Sequence, residues 1–227
     1  MIRMENLCKV YMMGDTKVEA LQEVNIRIEE GEFVAVIGPS GSGKSTLMNI
    51  TGCLDVPTSG KYWLGGQEVS RYSDNQLAVI RNRQIGFVFQ SFNLMPRLTA
   101  LDNVLRPLVY RGVGSKERLA KARQALERVG LRDRMDHRPT QLSGGEQQRV
   151  AVARAIAGDP PIILADEPTG NLDTASGFEV MKMLHELHTQ GKTVVLITHN
   201  SKAAMQASRQ IAIQDGRVTE DREGGQK

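Results

Sequence analysis

The residues Gly38-Pro39-Ser40-Gly41-Ser42-Gly43-Lys44-Ser45-Thr46 directly follow the apolar run Phe33 to Ile37. An unbroken apolar run of this length predicts a central strand of a parallel sheet. Glycines 38, 41 and 43 let the backbone turn where a Cβ would clash, so successive N–H groups can converge on one anion. A helix is predicted to open near Gly43 to Leu47, and its unpaired N–H groups and dipole add to the attraction for negative charge. Strand, glycine loop and helix in this order confine the chain to an α/β fold with a phosphate cradle at a strand's carboxyl end. Lys44 is placed to reach the β- and γ-phosphates of a nucleoside triphosphate, and the Ser45 hydroxyl to ligate Mg²⁺. A Gly/Ser linker that happens to hold a lysine is the plain alternative, but linkers do not join a buried strand to an amphipathic helix.

With 227 residues, 40% of them hydrophobic and 24% charged, the chain can bury a core as one large domain or a domain with a subdomain. Its net charge of +3 comes with no Lys/Arg-dominated stretch, so no nucleic-acid partner is expected. Cys8 and Cys53 are far apart and unpatterned, as buried thiols in a reducing cytosol would be. No run approaches the roughly 20 apolar residues of a membrane span, and the amino end has no signal-peptide core, so the chain is not expected to cross a membrane itself.

Along the chain, Val24, Ile26 and Ile28 alternate with polar residues as in a half-exposed antiparallel strand, which makes the sheet mixed. A hairpin is predicted at Lys61 to Val69 around Gly65-Gly66, and a buried strand at Ile85 to Phe89, ending at Gln90. From Asn93 to Gln141 the texture turns helical; one helix begins at Ser115 and closes before Gly130. The α/β alternation resumes with strand Ile162 to Asp166, helix Ala175 to Thr189, strand Thr193 to Thr198, a short helix from Ser201 and strand Ile211 to Gln214. The polar tail Thr219 to Lys227 is expected to be disordered.

Ile162 to Ala165 deliver Asp166 and Glu167 at the carboxyl end of a strand, where ligands of open α/β sheets collect. Beside a phosphate loop the first carboxylate is expected to support Mg²⁺. The second is expected to orient and deprotonate the attacking water. Leu142-Ser143-Gly144-Gly145-Glu146 opens another helix and is a second anion-binding device, although one nucleotide has only one γ-phosphate.

The phosphate loop, the Leu142 to Glu146 turn about a hundred residues later and the following apolar-Asp-Glu strand together resemble an ATP-binding cassette, the motor domain of ABC transporters. The resemblance runs from about Ile2 to Val218. It implies the P-loop NTPase fold of that family, with an antiparallel β subdomain and a helical insertion. The boundaries implied are 1–90 and 160–218 for the catalytic core with the β subdomain, and about 91–159 for the helical subdomain. It further implies that the serine-glycine turn completes the site of a second copy, so that two chains bind two ATP head to tail with two-fold symmetry. Tyr11 resembles the aromatic that stacks on adenine, a core tyrosine being the alternative. Gln90 resembles the glutamine that touches Mg²⁺ and the attacking water. Asn171-Leu172-Asp173 resembles the loop linking the two sites, with a helix N-cap at Asp173 also open. His199 resembles the histidine that contacts γ-phosphate and can hold Glu167 in place. His185 and His188 are expected to share a solvated helix face rather than a metal.

The stretch Phe89 to Ala100, the stretch Thr169 to Asp173 and the insertion Gly14 to Val18 resemble the branch of lipoprotein-release and macrolide-export cassettes (LolD- and MacB-like). That branch implies an ATPase on the cytoplasmic face of the inner membrane, driving a permease with few membrane helices, and leaves room for an accessory periplasmic protein. Phe92 to Arg97 would form the groove receiving the permease. Ending at Lys227 without a permease segment, the chain resembles the stand-alone LolD type more than the fused MacB type. A cassette that signals to cell-wall enzymes through its permease is the second reading, since the motor is shared. A cassette acting on nucleic acid or ribosomes is a remote third, because neither tandem cassettes nor a long coiled coil are present.

Overall fold

The computed structural model describes residues 1–223. In chain order the elements are β1 (Ile2–Met13), β2 (Thr16–Ile28), β3 (Phe33–Ile37), α1 (Lys44–Thr51), β4 (Ser59–Leu64), β5 (Gln67–Glu68), α2 (Asp74–Gln84), β6 (Ile85–Phe89), α3 (Ala100–Tyr110) and α4 (Ser115–Arg128). They continue with α5 (Gly144–Ile156), β7 (Ile162–Asp166), α6 (Thr174–Thr189), β8 (Thr193–Ile197), α7 (Ser201–Ala204), β9 (Arg209–Gln214) and β10 (Arg217–Glu223). Two units contain them: Met1–Arg81 together with the chain from Gly191 onward, and Asn82–Gln190.

In the first unit β3 runs parallel to both β8 and β9, and β10 closes antiparallel on β9, so this sheet is mixed. Phe33, Val34, Ala35 and Val36 are buried on both faces, which is why the run lacks alternation. A second, antiparallel sheet in the order β2-β1-β4-β5 is the expected β subdomain. There Val24, Ile26 and Ile28 face inward and their neighbours outward. The Gly65-Gly66 turn, both residues at positive φ, joins β4 to β5.

The second unit pairs β6 with β7 in parallel, packs α5 against β6, and gathers α3, α4 and α6 around α5. Gly86 on β6 lies against α5 so closely that a Cβ there would be 2.5 Å from the Ala155 carbonyl oxygen. This contact groups β6 and β7 with the helices, whereas the sequence boundaries 91–159 leave those strands out. Thr99 caps α3 by accepting from the Asp102 N–H at 3.0 Å, and Pro107 lies inside that helix.

Several expectations need correction. Thr219 to Glu223 are not disordered: they belong to β10, paired to β9 through Ile211, Gln210 and Arg209, with Arg209 gripping Asp221 at 2.7 Å. Positions 224–227 of the expected tail lie outside the described residues. Strand β9 begins at Arg209 rather than Ile211, and β8 stops at Ile197. Cys53 is buried as expected, but Cys8 is only half-buried; both are free thiols.

Candidate functional site

The loop after β3 has the curled backbone that its glycines permit. Gly41 and Gly43 adopt φ of 77° and 101°. A Cβ on Gly38 would sit 2.1 Å from the Ile213 carbonyl oxygen, and one on Gly43 2.6 Å from that of Ala20. The loop is braced from outside: the Gly216 N–H donates to Ser42 O at 2.9 Å, and the Gln22 N–H donates to Gly216 O at 2.8 Å. Lys44 lies across the loop, its Nζ donating to Gly38 O at 2.8 Å and Pro39 O at 2.7 Å. The Ser42 hydroxyl is buried within the same loop without a hydrogen-bond partner. A backbone cradle closed to a Cβ at Gly38 and Gly43, with an orphan hydroxyl and a lysine at its rim, fits an oxyanion such as a phosphate chain. Beside it is a cavity of about 400 Å³ lined by Val18, Glu19, Gly41, Lys44, Ser45 and Thr46, a volume suited to a small-molecule ligand.

His199 follows β8, which lies parallel to β3 with Val36 opposite Ile197. Both chains therefore leave the sheet at one edge, and Gly38, Pro39 and His199 line a common cavity of about 450 Å³. Asn200 caps α7 by accepting from the Lys202 and Ala203 N–H groups.

Tyr11 stands near the end of β1, directly opposite Val18 on β2. Its hydroxyl donates to Asp55 Oδ2 at 2.8 Å. Lys9 donates from Nζ to Asp55 Oδ1 at 2.7 Å and to Val56 O at 2.8 Å, and its ammonium lies 4.9 Å from the centre of the Tyr11 ring. Burial pulls the Asp55 pKa upward, but hydrogen bonds from Lys9, Tyr11 and the Val56 N–H outweigh it and leave the carboxyl below its ordinary value. Burial, reinforced by Asp55, raises the Tyr11 phenol.

In the second unit Phe89 is in register with Asp166 on the neighbouring parallel strand. Gln90 and Glu167 thus leave β6 and β7 at the same edge. Glu167 is left-handed, with φ 44°, an uncommon conformation for a residue with a Cβ. Two contacts hold its turn: the Gly170 N–H donates to Glu167 O at 3.0 Å, and the fully buried Gln148 donates from Nε2 to Pro168 O at 2.6 Å. Gln90 and Asn171 exchange hydrogen bonds: Gln90 Nε2 donates to Asn171 Oδ1 at 3.2 Å and Asn171 Nδ2 donates to Gln90 O at 3.2 Å.

The Leu142 to Glu146 turn is a helix start with a reciprocal cap. Ser143 Oγ accepts from the Glu146 N–H at 3.2 Å, and the Glu146 carboxylate accepts from the Ser143 N–H at 2.8 Å. That backbone hydrogen bond is the main reason the Glu146 carboxyl is held below its ordinary pKa, with Arg134 adding to it. Leu142 is buried and anchors the turn, while Ser143 is exposed. Gly145 packs beneath Ser176, where a Cβ would be 2.5 Å from the serine hydroxyl. Asp173 is the N-cap of α6, accepting from the Ala175 and Ser176 N–H groups, both at 3.0 Å.

Within one unit the structure therefore gathers Gly38 to Thr46, Tyr11 and His199; within the other it gathers Gln90, Asp166, Glu167, Leu142 to Glu146 and Asn171 to Asp173. Lys9, Asp55, Gln148 and Ser176 join the site without a motif in the sequence to mark them. Leu7-Cys8-Lys9-Val10-Tyr11 held the only available signal for the first: a lysine at the inward position of an alternating strand. His185 and His188 lie with ring centres 6.2 Å apart, and the described residues contain no cluster of three or more His, Cys, Asp or Glu able to hold a metal.

The sequence profile of the family described as ABC transporter matches residues 21–170. An ABC transporter ATP-binding protein of Thermotoga maritima is 58% identical over 92% of this chain and 90% of its own length. The macrolide export ATP-binding/permease protein MacB of Chlorobaculum tepidum is 54% identical over 98% of this chain, which spans 34% of that longer protein. The ATP-binding cassette MJ0796, solved as a dimer in a post-hydrolysis state bound to ADP and Pi, superposes with a TM-score of 0.92 at 46% identity over the full length of both chains.

Proposed function

The chain belongs to the ABC transporter family as an ATP-hydrolysing cassette, and on that footing we propose that it works as a head-to-tail dimer coupled to a membrane permease of the MacB or LolD kind. The observation that carries the reading is the β3 cradle, whose backbone admits no Cβ at Gly38 or Gly43 and whose rim is spanned by Lys44.

In this reading the N–H groups of the Gly38 to Thr46 loop bind the phosphates, with Pro39 and Ser40 forming its outer wall. Lys44 exchanges the Gly38 and Pro39 carbonyls for phosphate oxygens. Tyr11 stacks on the adenine. Ser45, Gln90 and Asp166 would hold Mg²⁺, a hard cation that takes oxygen ligands and usually keeps waters and substrate phosphates in its shell. Mg²⁺ would neutralise charge developing on the phosphate oxygens. Glu167 takes a proton from the attacking water, Gln90 orients that water, and His199 donates a hydrogen bond to the γ-phosphate. Ser143 and Gly145 of the turn Leu142 to Glu146 contact the γ-phosphate bound by the other copy, and Asn171, Leu172 and Asp173 link the two sites. The dimer of MJ0796 and the fused permease of the MacB relatives support this assembly.

Among the described residues no helix is long and apolar enough to cross a membrane. Attachment at the cytoplasmic face through the permease, with Phe92 to Arg97 as its groove, follows from the same proposal. Macrolide-like or peptide-like compounds and lipoproteins are the proposed loads, an accessory periplasmic protein is a further proposed partner, and no nucleic acid is expected. Steady-state hydrolysis tests the site. Lys44→Ala is expected to lose ATP binding, and Glu167→Gln to keep it while losing at least about 100-fold in turnover. Tight ATP binding by Lys44→Ala would remove the cradle reading.

A further inference from the structure

Lys9 is the anomaly of β1. It occupies an inward position of the strand, its side chain is 11% exposed, and a lysine is seldom buried unless paired. A buried ion pair is weak evidence of stability, because desolvation offsets the Coulomb gain. In this fold both members of the pair contact one aromatic ring. The Asp55 carboxylate takes Lys9 on one oxygen and the Tyr11 hydroxyl on the other, and its Oδ1 also accepts from the Val56 N–H at 2.7 Å. The Lys9 ammonium, held by Val56 O as well, lies over one face of the ring within cation–π range. A planar ligand stacking on this ring would take the opposite face. Tyr11 is directly opposite Val18, and paired residues of antiparallel strands project to the same side. Val18 lines the cavity that also contains Gly41, Lys44, Ser45 and Thr46.

We propose that Lys9 and Asp55 are positioning residues that fix the Tyr11 ring for the purine base of the nucleotide, so that this pair sets base affinity without acting on the phosphates. The proposal rests on the reading of Tyr11 as the base-stacking aromatic. A tyrosine hinged only at its Cβ loses rotamer freedom when a base binds, whereas one tied at its hydroxyl and backed by a cation has lost that freedom already.

Equilibrium binding to the full chain by calorimetry, with ATP and with inorganic tripolyphosphate as probes, tests this. Asp55→Asn is expected to weaken ATP binding roughly five- to tenfold and to leave tripolyphosphate unchanged. In a Tyr11→Ala background the same change should have no further effect on ATP, because its only route to the base has been removed. Lys9→Met, which keeps the aliphatic stem, should repeat the pattern and stands in if Asp55→Asn fails to fold. Equal weakening of both probes would reduce the pair to general scaffolding and overturn the proposal. So would unchanged ATP affinity in both single variants while Tyr11→Ala loses affinity. If Tyr11→Ala itself binds ATP normally, the stacking reading falls, and the proposal with it.

Discussion

Cys53 closes α1 from a left-handed position, φ 53°, and is 1% exposed. Burial pushes its thiol from the ordinary 9.0 up to about 11. The folded chain therefore favours the neutral thiol, and the stability this contributes is complete below the unfolded pKa and is lost as pH rises through the folded one. Urea unfolding of the wild type against Cys53→Ala should show their difference shrinking by about 2–3 kcal/mol between pH 9 and 11; a constant difference would contradict the burial argument. Single residues were unevenly legible in the sequence. Glycines 38 and 43 could be read because a close backbone approach leaves no other residue type. Asp55 could not, because its partners Lys9 and Tyr11 lie more than 40 positions away and only the fold brings them to it.

Among the elements, strands β3, β6 and β7 were legible to the residue or nearly so, because burial on both faces writes an unbroken apolar run. Helix α2 was not, since Leu77 is its only buried residue and leaves no stripe to detect. Strand β1 was passed over because register shifts between Met4 and Val10 break its alternation. Strand β10 reads as a polar tail in the sequence because its side chains are nearly all exposed and its order comes from pairing with β9. The segment after β6 is held by an element far along the chain: Phe92 and Asn93 are both left-handed, and half-buried Arg154 on α5 donates to their carbonyls at 2.8 and 2.5 Å. Arg154→Met should destabilise the protein by about 2–3 kcal/mol in denaturant titrations, because two carbonyls lose a charged donor. An unchanged midpoint would show that the segment keeps its strained backbone unaided.

At the scale of the whole molecule, two helices among the described residues open at glycine-rich turns, α1 after Gly43 and α5 after Ser143. The cassette family was legible from the phosphate loop, the Leu142 to Glu146 turn and the apolar-Asp-Glu strand taken together. The division into units at Arg81 and Gln190 was not, because it follows strand pairing and packing rather than the change from strand-rich to helix-rich sequence. If α5 serves the nucleotide of a second copy, then closure of the dimer and occupation of the cradle are linked, and a chain that cannot hydrolyse ATP must stay closed. Sedimentation equilibrium of Glu167→Gln with and without ATP measures this directly. The mass should double when ATP is added and return to that of the single chain in Glu167→Gln/Ser143→Arg. A saturating ATP complex of Glu167→Gln that remains a single chain would contradict the shared site.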